Sequence, residues 1–257
     1  MREQWYLLRT AIMFYTRIPV GNIPHGLDRL SRATRYLPLI GWLVGVTMAL
    51  VLHTLNLIAP WPVTIILSLV TGIWMTGAFH EDGFADMCDG FGGGWTQEKI
   101  LLIMKDSRIG TYGMLGLLLL MLLKFYCLFA LTPSLAAIAI VVAHALSRFT
   151  AVTIIYTHPY VRENEDSKAK PVSKGIKGWE LFVAGCFGLL PLLLATTLLH
   201  HYLWLLCLPA VWLARTYMAR LMRKWIGGYT GDCLGAVQQL SETVVYLCFC
   251  LVEWKYT

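Results

Sequence analysis

Apolar runs about as long as a bilayer is thick constrain this chain more than any other feature. Crossing a membrane as a helix takes about 20 mainly apolar residues. Seven stretches meet or approach that length, near 37–58, 62–79, 113–131, 134–156, 180–199, 201–216 and 235–254. The last is the weakest: Gln238, Gln239 and Glu242 place its first half either at the interface or along a cavity. Of the 257 residues, 57% are hydrophobic and 14% charged, whereas soluble domains carry about 25% charged residues. The expected fold is all-α, a polytopic membrane protein with about six to seven transmembrane helices. The low charge density excludes a disordered chain. With no fixed-period repeat and no Pro/Ser-rich linker, residues 1–257 are expected to form a single membrane-integral domain.

Basic residues orient the spans. The connectors near 59–62, 131–134 and 199–202 contain neither Lys nor Arg. The N-terminal segment holds Arg2, Arg9, Arg17, Arg29, Arg32 and Arg35, and the segment 80–112 holds Lys99, Lys105 and Arg108. Arg162, Lys168, Lys170, Lys174 and Lys177 follow in 157–179, and Arg215, Arg220, Arg223 and Lys224 in 215–230. By the positive-inside rule these segments and the N-terminus are cytoplasmic. The formal charge of +6 is thus a matter of topology, and no nucleic-acid partner is expected; no P-loop, zinc-finger or RNA-binding motif accompanies it. Residues 1–36 form a cytoplasmic or interfacial segment. Met1 to Val20 is no cleavable signal. It mixes basic positions with Trp5, Leu8, Ile12 and Phe14, the pattern of an amphipathic helix lying in the interface. The seven cysteines form no C-x-x-C pair and mostly sit in apolar runs, where they act as small hydrophobes.

The chemistry concentrates in 80–112. His80 to Gly90 contains Glu81, Asp82, Asp86 and Asp89. At about 100° per residue of helix, Asp82, Asp86 and Asp89 fall within roughly 60° of one another. Like charges so placed repel, and a divalent cation with oxygen ligands such as Mg²⁺ relieves them. Gly90, Gly92, Gly93 and Gly94 follow, read as a turn with positive φ and close backbone approach to a phosphate. Lys105, Asp106 and Arg108 then flank the entry to the next span, with the two cations at i, i+3 suited to phosphate. Carboxylates, glycines and cations at a membrane surface form the set that metal-assisted phosphoryl transfer needs. The competing reading is an acidic loop that solvates a helix end.

Other positions remain open. Gly227 to Asp232 is either a metal or nucleotide contact or a glycine turn with Asp232 as N-cap. His144 and Arg148 share a helix face inside a span, where charge is functional by default, although Arg148 is near enough to the inner edge to snorkel. Lys124 lies in the third stretch with no assigned role.

At these residues the chain resembles the cobalamin synthase (adenosylcobinamide-GDP ribazoletransferase) family. The likeness is carried by Phe14-Tyr15-Thr16-Arg17-Ile18-Pro19-Val20, by Tyr36-Leu37-Pro38-Leu39-Ile40-Gly41 and by His80 to Gly90. Lys105 to Gly113 and Tyr229 to Ala236 complete it, so it runs nearly the full length. The resemblance implies a bacterial inner-membrane enzyme with its site on the cytoplasmic side. It would join adenosylcobinamide-GDP to α-ribazole or its 5′-phosphate with Mg²⁺, releasing GMP. On that implication Asp82, Asp86 and Asp89 hold the metal, with Glu81 a fourth ligand or a support behind the ligands. Asp106 is a further ligand or the base, and Lys105 and Arg108 clamp phosphate. Arg17, Gly92, Gly93, Arg148 and Asp232 are the substrate-binding candidates. Protein partners in keeping with this are further copies of the chain or other cobalamin-assembly enzymes. The rival readings are a CDP-alcohol-type lipid head-group phosphotransferase, whose Ala-Arg after the second aspartate's glycine is absent here, and a secondary transporter, with acids near the midplane.

Overall fold

The computed structural model describes residues 2–22, 29–162 and 175–254. Lys168, Lys170 and Lys174, counted above toward the topology, lie outside them. Almost every apolar run becomes a helix, because only internally hydrogen-bonded backbone is stable in lipid. Six helices have the length and hydropathy of spans: α3 (Leu37–Leu55, continuing from 29), α7 (Thr111–Phe129), α8 (Pro133–Thr157), α9 (Gly178–Leu198), α10 (Cys207–Ile226, with the turn from 202) and α11 (Gly231–Trp254). Helices α1 (Arg2–Tyr15) and α2 (Arg29–Ala33) precede them. Pro38 and Pro133 sit in first turns, where a missing N–H costs nothing.

Two expectations need correction. The run near 62–79 gives α4 (Trp61–Thr76), a 16-residue helix, about 24 Å long and short of the hydrocarbon thickness. Gly77 and Ala78 then adopt positive φ of 69° and 58°, and the chain turns by 89° into α5 (Phe79–Gly93). Left-handed backbone at Ala78 costs about 1–2 kcal/mol, a strain held at the start of the acidic motif. Taken together, α4 and α5 have the length and composition of one further span, broken or re-entrant at this bend. The acidic segment 80–112 is not a continuous loop. It is helical through α5 and again in α6 (Gln97–Ile103), which Thr96 caps by accepting from Lys99 N–H.

Helix α5 runs antiparallel to α7 and α11. Glu81 reaches Gln239, Gly83 meets Asp232, and Asp89 meets Gly110 and Gly113. The acidic face thus leads from the bundle interior to the end of α7. Glycines set these crossings. A Cβ on Gly83 would lie 2.9 Å from Asp232 Cα, and one on Gly41 would lie 2.2 Å from the His144 carbonyl. Gly41 and Gly45 form a small-xxx-small seam between α3 and α8.

The main core gathers α1, α3, α8, α9 and α11 around Leu7, Val44, Ile140 and Phe249; a second joins α5, α6, α10 and α11 around Met87, Ile100, Met222 and Val237. Helix α1 is amphipathic as expected, but its buried stripe is Leu7, Thr10, Ala11 and Tyr15. Trp5 and Met13 face outward at 58% and 51% exposure, which suits them to lipid.

Candidate active site

Three carboxylates and one guanidinium converge where α5 meets the start of α11. Asp82 is exposed and Asp86 half-buried on α5. The charged groups acting on Asp86 are Asp232, Asp82, Arg162 and Asp89. Asp232 pairs with Arg162 at 2.6 Å, and its backbone packs against Gly83, the residue after Asp82. The same guanidinium donates to the Met104 carbonyl at 3.2 Å, which draws the α6–α7 loop to the acidic face. Asp232 is not the N-cap of α11: Thr230 accepts from Cys233 N–H and fills that role.

The four carboxylates of His80 to Gly90 part company here. Asp89 accepts from Gly110 N–H at 2.7 Å and Gly113 N–H at 2.8 Å, so its two oxygens cap the first turn of α7. Glu81 points inward, accepting from Gln239 Nε2 at 2.9 Å. This leaves Asp82 exposed and Asp86 half-buried on α5, and Asp232 paired with Arg162. Among the described residues no group of three or more His, Cys, Asp or Glu side chains is placed to hold a metal ion.

The glycine-rich segment also differs from its reading. Gly90, Gly92 and Gly93 are helical, and none of them, nor Gly94, has positive φ. They admit side chains of the protein itself: a Cβ on Gly92 would lie 2.6 Å from the Tyr112 ring, and one on Gly90 2.5 Å from Met104. Lys105, Asp106 and Arg108 follow the end of α6 in an irregular turn rather than on one helix face. Asp106 accepts from Arg108 Nε at 3.0 Å and from its terminal nitrogen at 2.7 Å. These hydrogen bonds hold the Asp106 carboxyl down at about 2. Both side chains are exposed, as is Lys105. Arg17 lies over the α4–α5 break: its N–H donates to the Met75 carbonyl, and its guanidinium stands against Gly77.

A second polar cluster lies deeper. Lys124 Nζ donates to Glu242 at 2.7 Å and to Gln239, and Arg148 donates to His144 Nδ1 at 2.8 Å. Lys124, Arg148 and Glu242 are at most 2% exposed. Glu81 ties this cluster to α5 through Gln239. Lys124 is thus paired with Glu242, while Arg148 Nε and one Glu81 oxygen are buried without a hydrogen-bond partner among the described residues. Arg148 accordingly does not snorkel, and Gln238, Gln239 and Glu242 line the interior.

Sequence reasoning missed Arg162 as a site-organising residue and left Lys124 without a role. Arg162 read only as one topogenic charge among many, and nothing local marks its reach to Asp232. Lys124 carried the one available signal, a cation within an apolar run.

Comparison with known proteins identifies the family. Over 249 residues the chain is 44% identical to the adenosylcobinamide-GDP ribazoletransferase of Shewanella frigidimarina (strain NCIMB 400), covering 95% of this chain and 94% of that one. It is 44% identical over 257 residues to the protein of the same name from Shewanella amazonensis (strain ATCC BAA-1098 / SB2B), covering 98% and 97%. For the protein of that name from Shewanella sp. (strain W3-18-1) the identity is 42% over 259 residues. No solved structure is significantly similar. The family described as cobalamin-5-phosphate synthase, CobS, matches residues 7–250. A match of that length, on the helices that bring Asp82, Asp86 and Asp232 together, places this chain in the cobalamin-5-phosphate synthase family.

Proposed function

We propose that this protein is an adenosylcobinamide-GDP ribazoletransferase. It would transfer the cobinamide phosphate of adenosylcobinamide-GDP to α-ribazole or its 5′-phosphate, in a late step of cobalamin biosynthesis. The observation that carries the reading is the convergence of Asp82 and Asp86 with Asp232 beside Arg162, in a chain 44% identical to proteins of that name. In the reaction the acceptor's ribose oxygen bonds to the cobinamide-side phosphorus. The bond from that phosphorus to the GMP oxygen breaks, and GMP leaves.

Asp82, Asp86 and Asp232 would hold Mg²⁺, which when bound supplies charge neutralisation to the diphosphate. Arg162, already between Asp232 and the Met104 carbonyl, is placed to bind a phosphate oxygen while orienting Asp232. Arg108 and Lys105, exposed on the adjoining loop, clamp the leaving GMP phosphate. Asp106 orients Arg108. Held at about 2, it is too weak a base to take the hydroxyl proton, which passes to a carboxylate of the α5 face. Asp89 supports the site by fixing the start of α7. The whole chain acts as one membrane-integral unit, with the site on the cytoplasmic side of the cell's inner membrane. The Lys- and Arg-rich segments beside α5 and the uncharged opposite turns support that orientation.

The test is GMP release from adenosylcobinamide-GDP by the detergent-purified chain, with α-ribazole present or omitted and Mg²⁺ present or chelated. Release that needs both supports the reading. A chain that turns over neither with nor without Mg²⁺ removes it.

A further inference from the structure

The buried cluster around Lys124 and Glu242 leaves four side-chain atoms without a hydrogen-bond partner among the described residues. They are Glu81 Oε2, His144 Nε2, Arg148 Nε and Gln238 Oε1. All four residues line one cavity in the bundle interior, and none is more than 9% exposed. They come from three helices: Glu81 from α5, His144 and Arg148 from α8, and Gln238 from α11.

The neighbours of each group fix its hydrogen-bonding sense. Lys124 Nζ can only donate, so Gln239 turns its oxygen to Lys124 and donates from Nε2 to one Glu81 oxygen at 2.9 Å. The second Glu81 oxygen is left as an acceptor. The Gln238 amide nitrogen donates to Glu242 at 2.8 Å, which leaves the Gln238 oxygen as a second acceptor. The Arg148 guanidinium has no acceptor atom and stands 2.8 Å from His144 Nδ1. That ring nitrogen therefore accepts, and the imidazole proton sits on Nε2. His144 Nε2–H and Arg148 Nε–H are thus two donors. A cation in the cavity would face two N–H groups, and an anion two oxygens. A water molecule accepts two hydrogen bonds and donates two, so it matches all four groups.

The size of the cavity agrees. About 10 Å³ of it is open to the centre of a water molecule, which is room for about one water. Keeping the four atoms dry is the costly alternative, because each would retain its desolvation penalty with no hydrogen bond in return. We propose that a single internal water occupies this cavity, accepting from His144 and Arg148 and donating to Glu81 and Gln238. It fastens α5 to α8 and α11 at Glu81, one residue before Asp82. The inference does not depend on the ribazoletransferase reading.

X-ray radiolysis of the detergent-purified full chain tests this, because hydroxyl radicals made from a bound water oxidise the side chains beside it. Met48 lines the cavity and is 1% exposed. Met222, as deeply buried in the second core, is the reference. With a radical scavenger in the bulk solution, Met48 sulfoxide is expected to form several-fold faster than Met222 sulfoxide. Equal, slow oxidation of the two methionines overturns the proposal, and this comparison needs no variant. Gln238→Leu removes one acceptor at similar side-chain size. It should bring Met48 oxidation down toward the Met222 rate and speed hydrogen exchange of the α5 amides at 83–86 several-fold. Met48 oxidation unchanged by Gln238→Leu overturns the assignment of the four groups. If oxidation falls while exchange in α5 stays as in the unmodified chain, the role of the water in fastening α5 is overturned. If Gln238→Leu does not fold, the comparison of Met48 with Met222 in the unmodified chain decides alone.

Discussion

Gly83 of α5 and Asp232 of α11 meet backbone to backbone: a methyl group on Gly83 would lie 2.9 Å from both the Cα and the carbonyl oxygen of Asp232. This contact sets how near the carboxylates of the two helices stand. Gly83→Ala should therefore separate them. Overpacking of this kind costs about 1–3 kcal/mol. The variant is expected to melt lower in detergent and to need more Mg²⁺ for half-maximal GMP release. An unchanged Mg²⁺ requirement would show that the crossing does not set the site.

The carboxylates should divide by role. Asp82→Asn, Asp86→Asn and Asp232→Asn are expected to raise the Mg²⁺ concentration for half-maximal activity by about tenfold or more, as loss of a metal-organising group does. Asp89→Ala instead strips two N–H groups of α7 of their acceptor. It should mainly lower thermal stability, by about 1–3 kcal/mol. A Mg²⁺ titration beside a melting curve separates the two behaviours. An Asp89 variant that melts normally but needs far more Mg²⁺ would return Asp89 to the metal.

Lys124 and Glu242 are paired in the bundle interior at 2.7 Å. Removing one partner of a buried pair costs about 3–5 kcal/mol, because the other charge stays buried and uncompensated. Lys124→Met alone should thus be poorly folded in membranes. Lys124→Met with Glu242→Gln should recover much of the yield, measured as monodisperse protein after detergent extraction. No recovery in the double variant would mean that Arg148 and Glu81 need both charges.

The pair Asp106–Arg108 makes a pH prediction. Arg108 hydrogen bonds hold the Asp106 carboxyl at about 2, below the ordinary 3.8. A depressed carboxyl contributes its interaction fully above the ordinary value and loses it as pH falls through the lowered one. Between pH 5 and 8 Asp106 therefore stays ionised, and no limb of the pH–rate profile belongs to it. Asp106→Asn should lower kcat/KM while leaving the acidic limb in place. A limb that moves or vanishes would identify Asp106 as the base.

Much of this protein is local and so was readable from its residues. Apolar runs of membrane length became α3, α7, α8, α9 and α11 nearly where expected. The i, i+4, i+7 spacing of Asp82, Asp86 and Asp89 held because α5 is a helix. Where a reading failed, a partner distant in sequence decided the matter. Asp89 was diverted by Gly110 and Gly113, Glu81 by Gln239, and the glycines after Asp89 by Met104 and Tyr112. The α4–α5 break was hidden because Ala78 adopts a left-handed conformation that its residue type does not advertise.

By itself the chain's order of residues determined that it is a helical membrane protein and which connectors carry its basic residues, since hydropathy and charge act on each segment independently. Tertiary packing alone decided which carboxylates share a site. Charges 150 residues apart come together only when glycine seams let α5 lie against α11 and Arg162 bridges what remains.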